Sequence, residues 1–272
     1  MAFTPSEKAQ HMTQTPFLSS FRTIWSGGYY EGDPTDPMTP SGYGIFGYHS
    51  SLYLIYRCCI KPFITPDTTV LEIGPGRGAW TKSVADLGAK QVFAVDVVDP
   101  EYAGFWQYVG RRPNIQHIVV DDCSLHDVSD NSIDYFFSFG CFCHIKPDMN
   151  IAYINALASK MRSGSHGFLM VADYDKFNAC VGDVQGRSIW RAFTNKKFAA
   201  VRTAWRASLT LFHDKFVQRP LDKTEPDSTD AGAWFHFGTI AACRALEAAG
   251  FKIVEADMDI CHRDPVIHFQ KR

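Results

Sequence analysis

The chain has 272 residues, of which 27 are Lys or Arg and 29 are Asp or Glu, so its formal net charge is −2. This balance argues against a nucleic-acid partner, because nucleic-acid-binding surfaces normally carry a strong basic excess. A hydrophobic fraction of 46% excludes a disordered chain. The length fits one large domain that folds without disulfides or structural metals.

Membrane and secretory features are absent from the sequence pattern. No window reaches the ~18 uninterrupted apolar residues that span a bilayer, and the first residues lack the basic and apolar regions of a signal peptide. The eight cysteines are irregularly spaced, without a CxxC pair. We therefore expect a cytoplasmic protein with no membrane association. Cys141, Cys143 and His144 have no second ligand pair nearby, so buried thiols are favoured over a zinc site.

The first 63 residues differ in composition and pattern from the rest of the chain. Residues 26–47 are rich in Gly, Pro and aromatic residues and predict successive ordered turns. Residues 49–63 predict a buried helix that ends near Pro62. We expect residues 1–63 to form an amino-terminal arm and helix, a kind of element that exchanges between subunits of a homodimer.

From residue 69 to 172, short apolar runs alternate with amphipathic stretches, which is typical of βαβ units in a parallel sheet. Strands buried on both faces should be almost continuously apolar, and these runs are. The predicted strands are 70–74, 91–96, 115–120, 133–139 and 166–172. The predicted helices are 78–88, 101–109 and 147–161.

Residues 174–237 interrupt this alternation with a helical apolar stripe and a polar loop. The alternation then resumes with a helix over 238–249 and strands over 251–258 and 265–271. The pattern predicts an α/β fold in which one domain, residues 64–272, carries an inserted cap at about 176–237.

The glycine-rich segment that follows the first predicted strand carries the main chemical indication. Gly74, Gly76 and Gly78 lie between this strand and a helix, where glycines permit a tight turn and close approach of a ligand to the backbone. The next strand ends in Asp96, about 20 residues further on, where a carboxylate can accept both hydroxyls of a ribose. The pair predicts a nucleotide-containing cofactor at this edge.

The glycine pattern is also compatible with a dinucleotide, so a nicotinamide enzyme is one alternative. S-adenosylmethionine is favoured by Glu72, which can hold the ammonium of a methionine moiety but offers nothing to a pyrophosphate. It is also favoured by the acids Asp121 and Asp122, with Cys123, after the third strand, which suit the amino group of an adenine ring. The closing pair of strands points the same way.

With these residues the sequence resembles the class I S-adenosylmethionine-dependent methyltransferases, over about 150 residues that include LEIGPGRG and FSFGCFCHI. The resemblance implies a doubly wound, Rossmann-like sheet of seven mostly parallel strands with the last strand antiparallel. It also implies cofactor-binding roles, which fall on Glu72, Gly74, Gly76, Gly78, Asp96, Asp121, Asp122, Cys123, Gly140 and Cys141. The blocks GGYYEGDPTDPM, SGYGIFG and VADYDK resemble bacterial methyltransferases associated with sugar or glycan modification.

Two residues are candidates for chemistry at the methyl group. His144 follows the fourth strand, should pass beside the reactive methyl, and titrates near the working pH, so it can accept a hydroxyl proton. Asp173, together with Asp175, follows the fifth strand. These acids would orient a polyol acceptor, hold a divalent ion with His144, or cap the loop.

Aromatic and basic residues outside the predicted sheet are candidates for contact with the acceptor. Aromatic rings stack on the apolar C–H faces of a sugar, and a basic stretch over 184–213 suits an anionic group. The predicted acceptor-binding residues are Tyr29, Tyr30, Tyr43, Asp175, Arg187, Trp234 and His236.

The sequence thus predicts a methyltransferase that acts on a small polar acceptor, an oxygen of a sugar or sugar-containing, possibly anionic, metabolite. One alternative is a nicotinamide-dependent oxidoreductase on the same sheet. The other is a module that binds S-adenosylmethionine without turnover.

Overall fold

A computed structural model of the protein describes residues 33–38, 45–46, 49–178, 234–261 and 263–272. Near its start, strands β1 (Ile45–Phe46) and β2 (His49–Ser50) pair antiparallel. Helix α1 (Ser51–Ile55) continues through a π-helical turn and a 3-10 turn that ends at Phe63, close to Pro62 as the sequence predicts.

The centre of the molecule is one seven-stranded sheet in the order β5-β4-β3-β6-β7-β9-β8. The pairs among β3 to β7 are parallel, whereas β9 runs antiparallel to both of its neighbours. The predicted fold is therefore confirmed, including the antiparallel last strand. The strands are β3 (Thr69–Ile73), β4 (Gln91–Asp96), β5 (Ile115–Val119), β6 (Ile133–Ser138), β7 (Met161–Met170), β8 (Phe251–Glu255) and β9 (Val266–Lys271).

Helices cover both faces of the sheet, because alternate side chains of its strands are apolar on both sides. One core lies on the face of Val70 and packs against Trp80 and Phe105. The other lies on the face of Leu71 and packs against Leu157 and Leu246. The helices are α2 (Ala79–Asp86), α3 (Phe105–Val109), α4 (Pro147–Lys160), α5 (residues 174–178) and α6 (Thr239–Ala248).

Strand β7 begins five residues earlier than the sequence predicts, immediately after α4. Met161 is fully buried and pairs with Ile133, and a register shift follows before Tyr135 pairs with His166. The polar stretch MRSGS contains no apolar run, so the pattern of hydrophobicity gave no indication of a strand there. Its extended conformation is imposed by the neighbouring strand.

The strand order reverses direction between β3 and β6. In an open α/β sheet, the crevice outside the carboxyl ends of the strands at such a switch point is where ligands bind. The ends of β3, β4, β5, β6 and β7 all lie at this edge. It is the edge to which the predicted cofactor residues belong.

Among the helices that the structure describes, none is long and apolar enough to cross a membrane. The division of the chain into an arm over 1–63 and a domain with a cap at about 176–237 stays a prediction, because most of the arm and residues 179–233 lie outside the described part of the chain.

Candidate functional site

The glycine-rich segment connects the end of β3 directly to α2. The Gly74 amide donates to the carbonyl of Val95 at 2.8 Å, which ties the start of the segment to the neighbouring strand. Gly74, Gly76 and Gly78 all have positive φ angles, 74°, 54° and 90°. L-residues rarely adopt this left-handed backbone, so the segment depends on glycine for its shape.

Gly74 also lies directly beneath Cys141, the third residue after β6. A Cβ atom added at Gly74 would overlap both the Cβ and the Sγ of Cys141. The missing side chain therefore allows the ends of the two central strands to come into contact. This close approach forms a cradle of backbone at the switch point, which suits a ligand that lies along the main chain.

Glu72 is a buried carboxyl group within β3, only 3% exposed. Its Oε2 accepts a hydrogen bond from the hydroxyl of Thr81 on α2, at 2.5 Å. Burial raises the pKa of Glu72 to about 8; the Thr81 hydrogen bond works against this rise, and Asp96 adds to it. A cation placed beside Glu72 would compensate its buried charge, as the ammonium of a methionine moiety would.

Asp96 ends β4 and is hydrogen-bonded to the glycine-rich segment. Its Oδ2 accepts from the Gly76 amide at 3.2 Å, and its Oδ1 accepts from the Val98 amide at 3.0 Å. Burial raises the pKa of Asp96, and these backbone donors offset part of the rise. A carboxylate has about four acceptor positions, so ribose hydroxyls can still donate to Asp96 while it holds the loop.

The acids predicted to read adenine follow β5 and are exposed. Oδ1 of Asp122 accepts from the amide and the hydroxyl of Ser124, at 2.8 and 2.7 Å, which forms a turn. The hydroxyl of Tyr153 on α4 donates to the Asp122 carbonyl at 3.3 Å. Asp121, Asp122 and Cys123 therefore lie on a turn that is fixed at the same edge of the sheet.

The segment after β6 brings His144 to this edge. Residues Phe142–His144 form a 3-10 turn in which the His144 amide donates to the Cys141 carbonyl at 2.8 Å. Burial raises the pKa of the Cys143 thiol to about 12 and that of Cys141 well above its usual value. Both thiols are thus protonated near neutral pH and serve as small apolar groups.

Trp234 lies next to His144, although ninety residues separate them in sequence. The two rings are nearly parallel, at 15°, with centroids 6.4 Å apart. The Phe235 amide donates to the Cys143 carbonyl at 2.9 Å and so ties this part of the chain to the 3-10 turn. Two residues that the sequence assigned separately, to the base and to the acceptor site, are brought together.

Asp173, predicted to be catalytic, joins the two ends of the segment between α5 and α6. Its Oδ1 accepts from the amides of Asp175 and Lys176, and its Oδ2 accepts from the amide and hydroxyl of Thr239 at 2.8 and 2.5 Å. Burial works to raise the pKa of Asp173, but these donors hold it below the usual value. The structure places this carboxylate in the loop-capping role that the sequence left open.

The neighbouring predicted residues lie at the same junction. Asp175 is exposed, and His236 is exposed with its Nδ1 accepting from the Tyr174 amide at 3.0 Å. The Tyr174 hydroxyl donates to the Trp234 carbonyl. Within the described residues, no group of three or more His, Cys, Asp and Glu side chains is arranged to hold a metal ion. Tyr29, Tyr30, Tyr43 and Arg187 lie outside the described part of the chain.

Three residues of the site were not found from the sequence. Thr81 contacts Glu72, Arg263 lies over Trp234, and Asp264 pairs with Arg263. A threonine on the buried face of a predicted helix could have indicated the first. Nothing in the pattern of residues 259–265 indicated the other two, because Trp234, over which Arg263 lies, is distant in sequence.

Comparison with protein families gives a direct match to this part of the chain. Residues 71–163, from β3 to the start of β7, match a family described as a methyltransferase domain. They include the glycine-rich segment, Asp96 at the end of β4, the acids after β5, and the turn that carries His144. The chain contains a class I S-adenosylmethionine-dependent methyltransferase domain. Its cofactor is S-adenosylmethionine, for which the residues described above provide a fitting site.

Solved structures with low sequence identity share the fold of this methyltransferase. A methyltransferase from Aquifex aeolicus has a TM-score of 0.52 and 12% identity, covering 93% of this chain and 98% of its own. The 1,6-didemethyltoxoflavin-N1-methyltransferase of Burkholderia thailandensis, with its acceptor and S-adenosylhomocysteine bound, has 0.51 and 16%, covering 100% and 92%. A Haloferax volcanii protein in complex with the activator Trm112 has 0.52 and 12%, covering 92% and 96%. No curated protein sequence matches the chain.

The close approach at Gly74 leads to a prediction with a matched control. Gly74→Ala should abolish binding of S-adenosylhomocysteine in calorimetry and lower the unfolding midpoint, because the new Cβ meets Cys141. Gly88→Ala is the control, since Gly88 also has a positive φ but no atom of the described residues lies within 4 Å of an added Cβ. Its left-handed alanine should cost roughly 1–2 kcal/mol of stability without loss of binding. Equal binding by the two variants would contradict the assignment of the cradle.

Proposed function

We propose that the methyltransferase methylates an oxygen of a small polar acceptor, a sugar or sugar-containing metabolite, with His144 as the base. The main support for this proposal is the parallel packing of the His144 and Trp234 rings, beside the turn that follows Cys141. It combines a group that can take a proton with an aromatic surface, next to the glycine-rich segment. The first can activate a hydroxyl, and the second can bind the ring that carries it.

On this proposal the cofactor lies along the switch point. Glu72 holds the methionine ammonium, Asp96 holds the ribose hydroxyls, and the turn of Asp121, Asp122 and Cys123 binds the adenine. The glycines and the Gly140–Cys141 backbone line the part between them. S-adenosylmethionine supplies a methyl group that its sulfonium already activates. The protein has mainly to align the acceptor with this methyl and exclude water.

A hydroxyl acceptor needs a base as the new bond to its oxygen forms, because the proton must leave. A ring nitrogen of neutral His144 accepts this proton and keeps it until solvent removes it. Trp234 fixes one side of the imidazole, which restricts the directions from which a hydroxyl can approach. Asp173 supports this arrangement at a distance, by joining α5 to the chain that leads into α6.

The surroundings of Trp234 support a sugar as the acceptor. Phe177 packs against Trp234 with its ring edge-on, at 5.9 Å, and is 36% exposed. Such rings can stack on the C–H faces of a sugar. The Burkholderia enzyme is named for a heteroaromatic acceptor, which an indole surface would also suit, so acceptors of that class belong in the same assay.

We also propose that the protein works in the cytoplasm. Seven cysteines among the described residues are all unpaired, as expected in a reducing environment. The small-molecule acceptor is the partner that the site itself requires. A homodimer through the amino-terminal arm stays a prediction.

The role of His144 predicts a specific loss of rate. The purified protein should release S-adenosylhomocysteine with hydroxyl acceptors from a panel of free sugars, nucleotide-linked sugars, uronates, heteroaromatic amines and thiols. His144→Gln should lower kcat by about 10²-fold or more, because the acceptor hydroxyl loses its base. Its affinity for S-adenosylhomocysteine should not change.

His166→Gln is the control for this assay, because His166 lies within β7 and its ring contacts His268 and Gln270, away from the residues assigned to the site. Full activity of His144→Gln, or turnover of amines alone, would contradict the base role. Tight cofactor binding with no turnover of any acceptor would instead indicate the silent binding module.

The raised pKa of Glu72 predicts that cofactor binding releases a proton. Below about pH 8 the buried carboxyl is mostly protonated, and the ammonium of the cofactor favours its ionised form. Affinity for S-adenosylhomocysteine should therefore increase as the pH rises from 6.5 to 8.5. Calorimetry in two buffers of different ionisation enthalpy should show proton release at pH 7 for the wild type.

Glu72→Gln keeps the shape of the protonated side chain but has no proton to release. It should show no proton release on binding. Its affinity should change with pH only as far as the ionisation of the ligand itself requires. An identical pH dependence in the two proteins would rule out ionisation of Glu72 on binding.

A further inference from the structure

The loop that joins β8 to β9 contacts both ends of the segment between α5 and α6. On the side of α5, Lys176 forms ion pairs with Asp257 and, at 3.6 Å, with Asp259. On the side of α6, the guanidinium of Arg263 lies over the indole of Trp234, with its Cζ 3.6 Å from the ring centroid. One loop therefore fixes both sides of the junction at which Trp234 meets His144.

Among the described residues, Trp234 makes ring contacts with three different elements. His144 lies nearly parallel to it, Phe177 of α5 meets it edge-on, and Arg263 covers it from the β8–β9 loop. A guanidinium over an indole is attracted by the ring electrons and stacks flat on it. Of these contacts, that with Arg263 is the shortest and the one that involves a charge.

Asp264 fixes the guanidinium in turn. Its carboxylate is 1% exposed, and its Oδ2 accepts a hydrogen bond from Nε of Arg263 at 2.9 Å. A bond to Nε constrains the plane of the guanidinium as well as its position. Burial raises the pKa of Asp264 to about 6, against the lowering effect of Arg263 and Lys176, and Asp173 adds to the rise. Such a buried acid is costly unless its partner stays in place.

We propose that Arg263, held by Asp264, is a positioning residue of the acceptor site that keeps the Trp234 indole parallel to the His144 imidazole. The residue acts through Trp234. This proposal rests on the proposed function in one respect, because that function assigns His144 and Trp234 to the acceptor side. It goes beyond that function by giving the β8–β9 loop a part in the alignment of the base.

The test uses the fluorescence of Trp234 in the full chain, taken as the difference between wild type and Trp234→Phe. A protonated imidazole quenches an indole packed against it, so this difference should fall as the pH is lowered from 8 to 5. His144→Gln should remove the fall. Arg263→Met should also remove it, and Arg263→Lys, which keeps the charge but loses the flat fork, should restore only part of it.

Arg111→Met is the matched control, because Arg111 also lies over a tryptophan, Trp106, at 4.9 Å, on the helix α3. It should leave the Trp234 difference unchanged. Arg263→Met leaves the buried Asp264 without its partner and can impair folding. The double variant Arg263→Met/Asp264→Asn removes both charges and decides the test in that case.

Loss of the pH-dependent difference in Arg263→Met or in the double variant, with affinity for S-adenosylhomocysteine retained, supports the positioning role. A wild type without this difference, or an Arg263 variant with the same amplitude and midpoint as the wild type, overturns it. The measurement needs no acceptor. If His144→Gln keeps full methyltransferase activity while the optical result holds, the base role fails and the positioning role stands.

Discussion

The absence of a side chain at Gly74 is the constraint on which the arrangement of the site depends. Because no Cβ is present, Cys141 can lie directly against the turn after β3, and the ends of the two central strands meet. This contact fixes where the 3-10 turn of residues 142–144 begins, and hence where His144 lies relative to the glycine-rich segment. Asp96 reinforces the same segment from the neighbouring strand. One close approach thus positions both the cofactor side and the acceptor side that we propose for this edge.

The acceptor side that we propose is assembled from parts of the chain that are far apart in sequence. The turn after β6 supplies His144, the chain before α6 supplies Trp234, and the β8–β9 loop supplies Arg263. Asp173 joins α5 to the start of α6 through four hydrogen bonds and so helps to fix the chain that carries Trp234. Buried polar groups with all their partners present stiffen a site. The site therefore combines a stable sheet edge with a junction that is fixed by hydrogen bonds and one cation–π contact.

The sequence predicts the strands and the glycine-rich segment, because each depends on a local pattern. It also predicts that Asp96 and His144 lie at one sheet edge, because the carboxyl ends of parallel strands lie on the same side. The early start of β7 could not be predicted, since MRSGS is polar and its extension is imposed by β6. The capping role of Asp173 depends on Thr239. The positioning role that we propose for Arg263 depends on Trp234. Neither pairing has a local pattern, because the partners come together only when the whole sheet has formed.

We propose that the cradle at Gly74 and Cys141 holds the cofactor with its reactive sulfur facing His144 and Trp234. A crystal structure of the protein with S-adenosylhomocysteine tests this most directly. We expect ribose hydroxyls on Asp96, the amino group of the homocysteine part beside Glu72, and a sulfur whose open side faces His144. A sulfur that faces away from His144, or a ligand bound away from the glycine-rich segment, would contradict it.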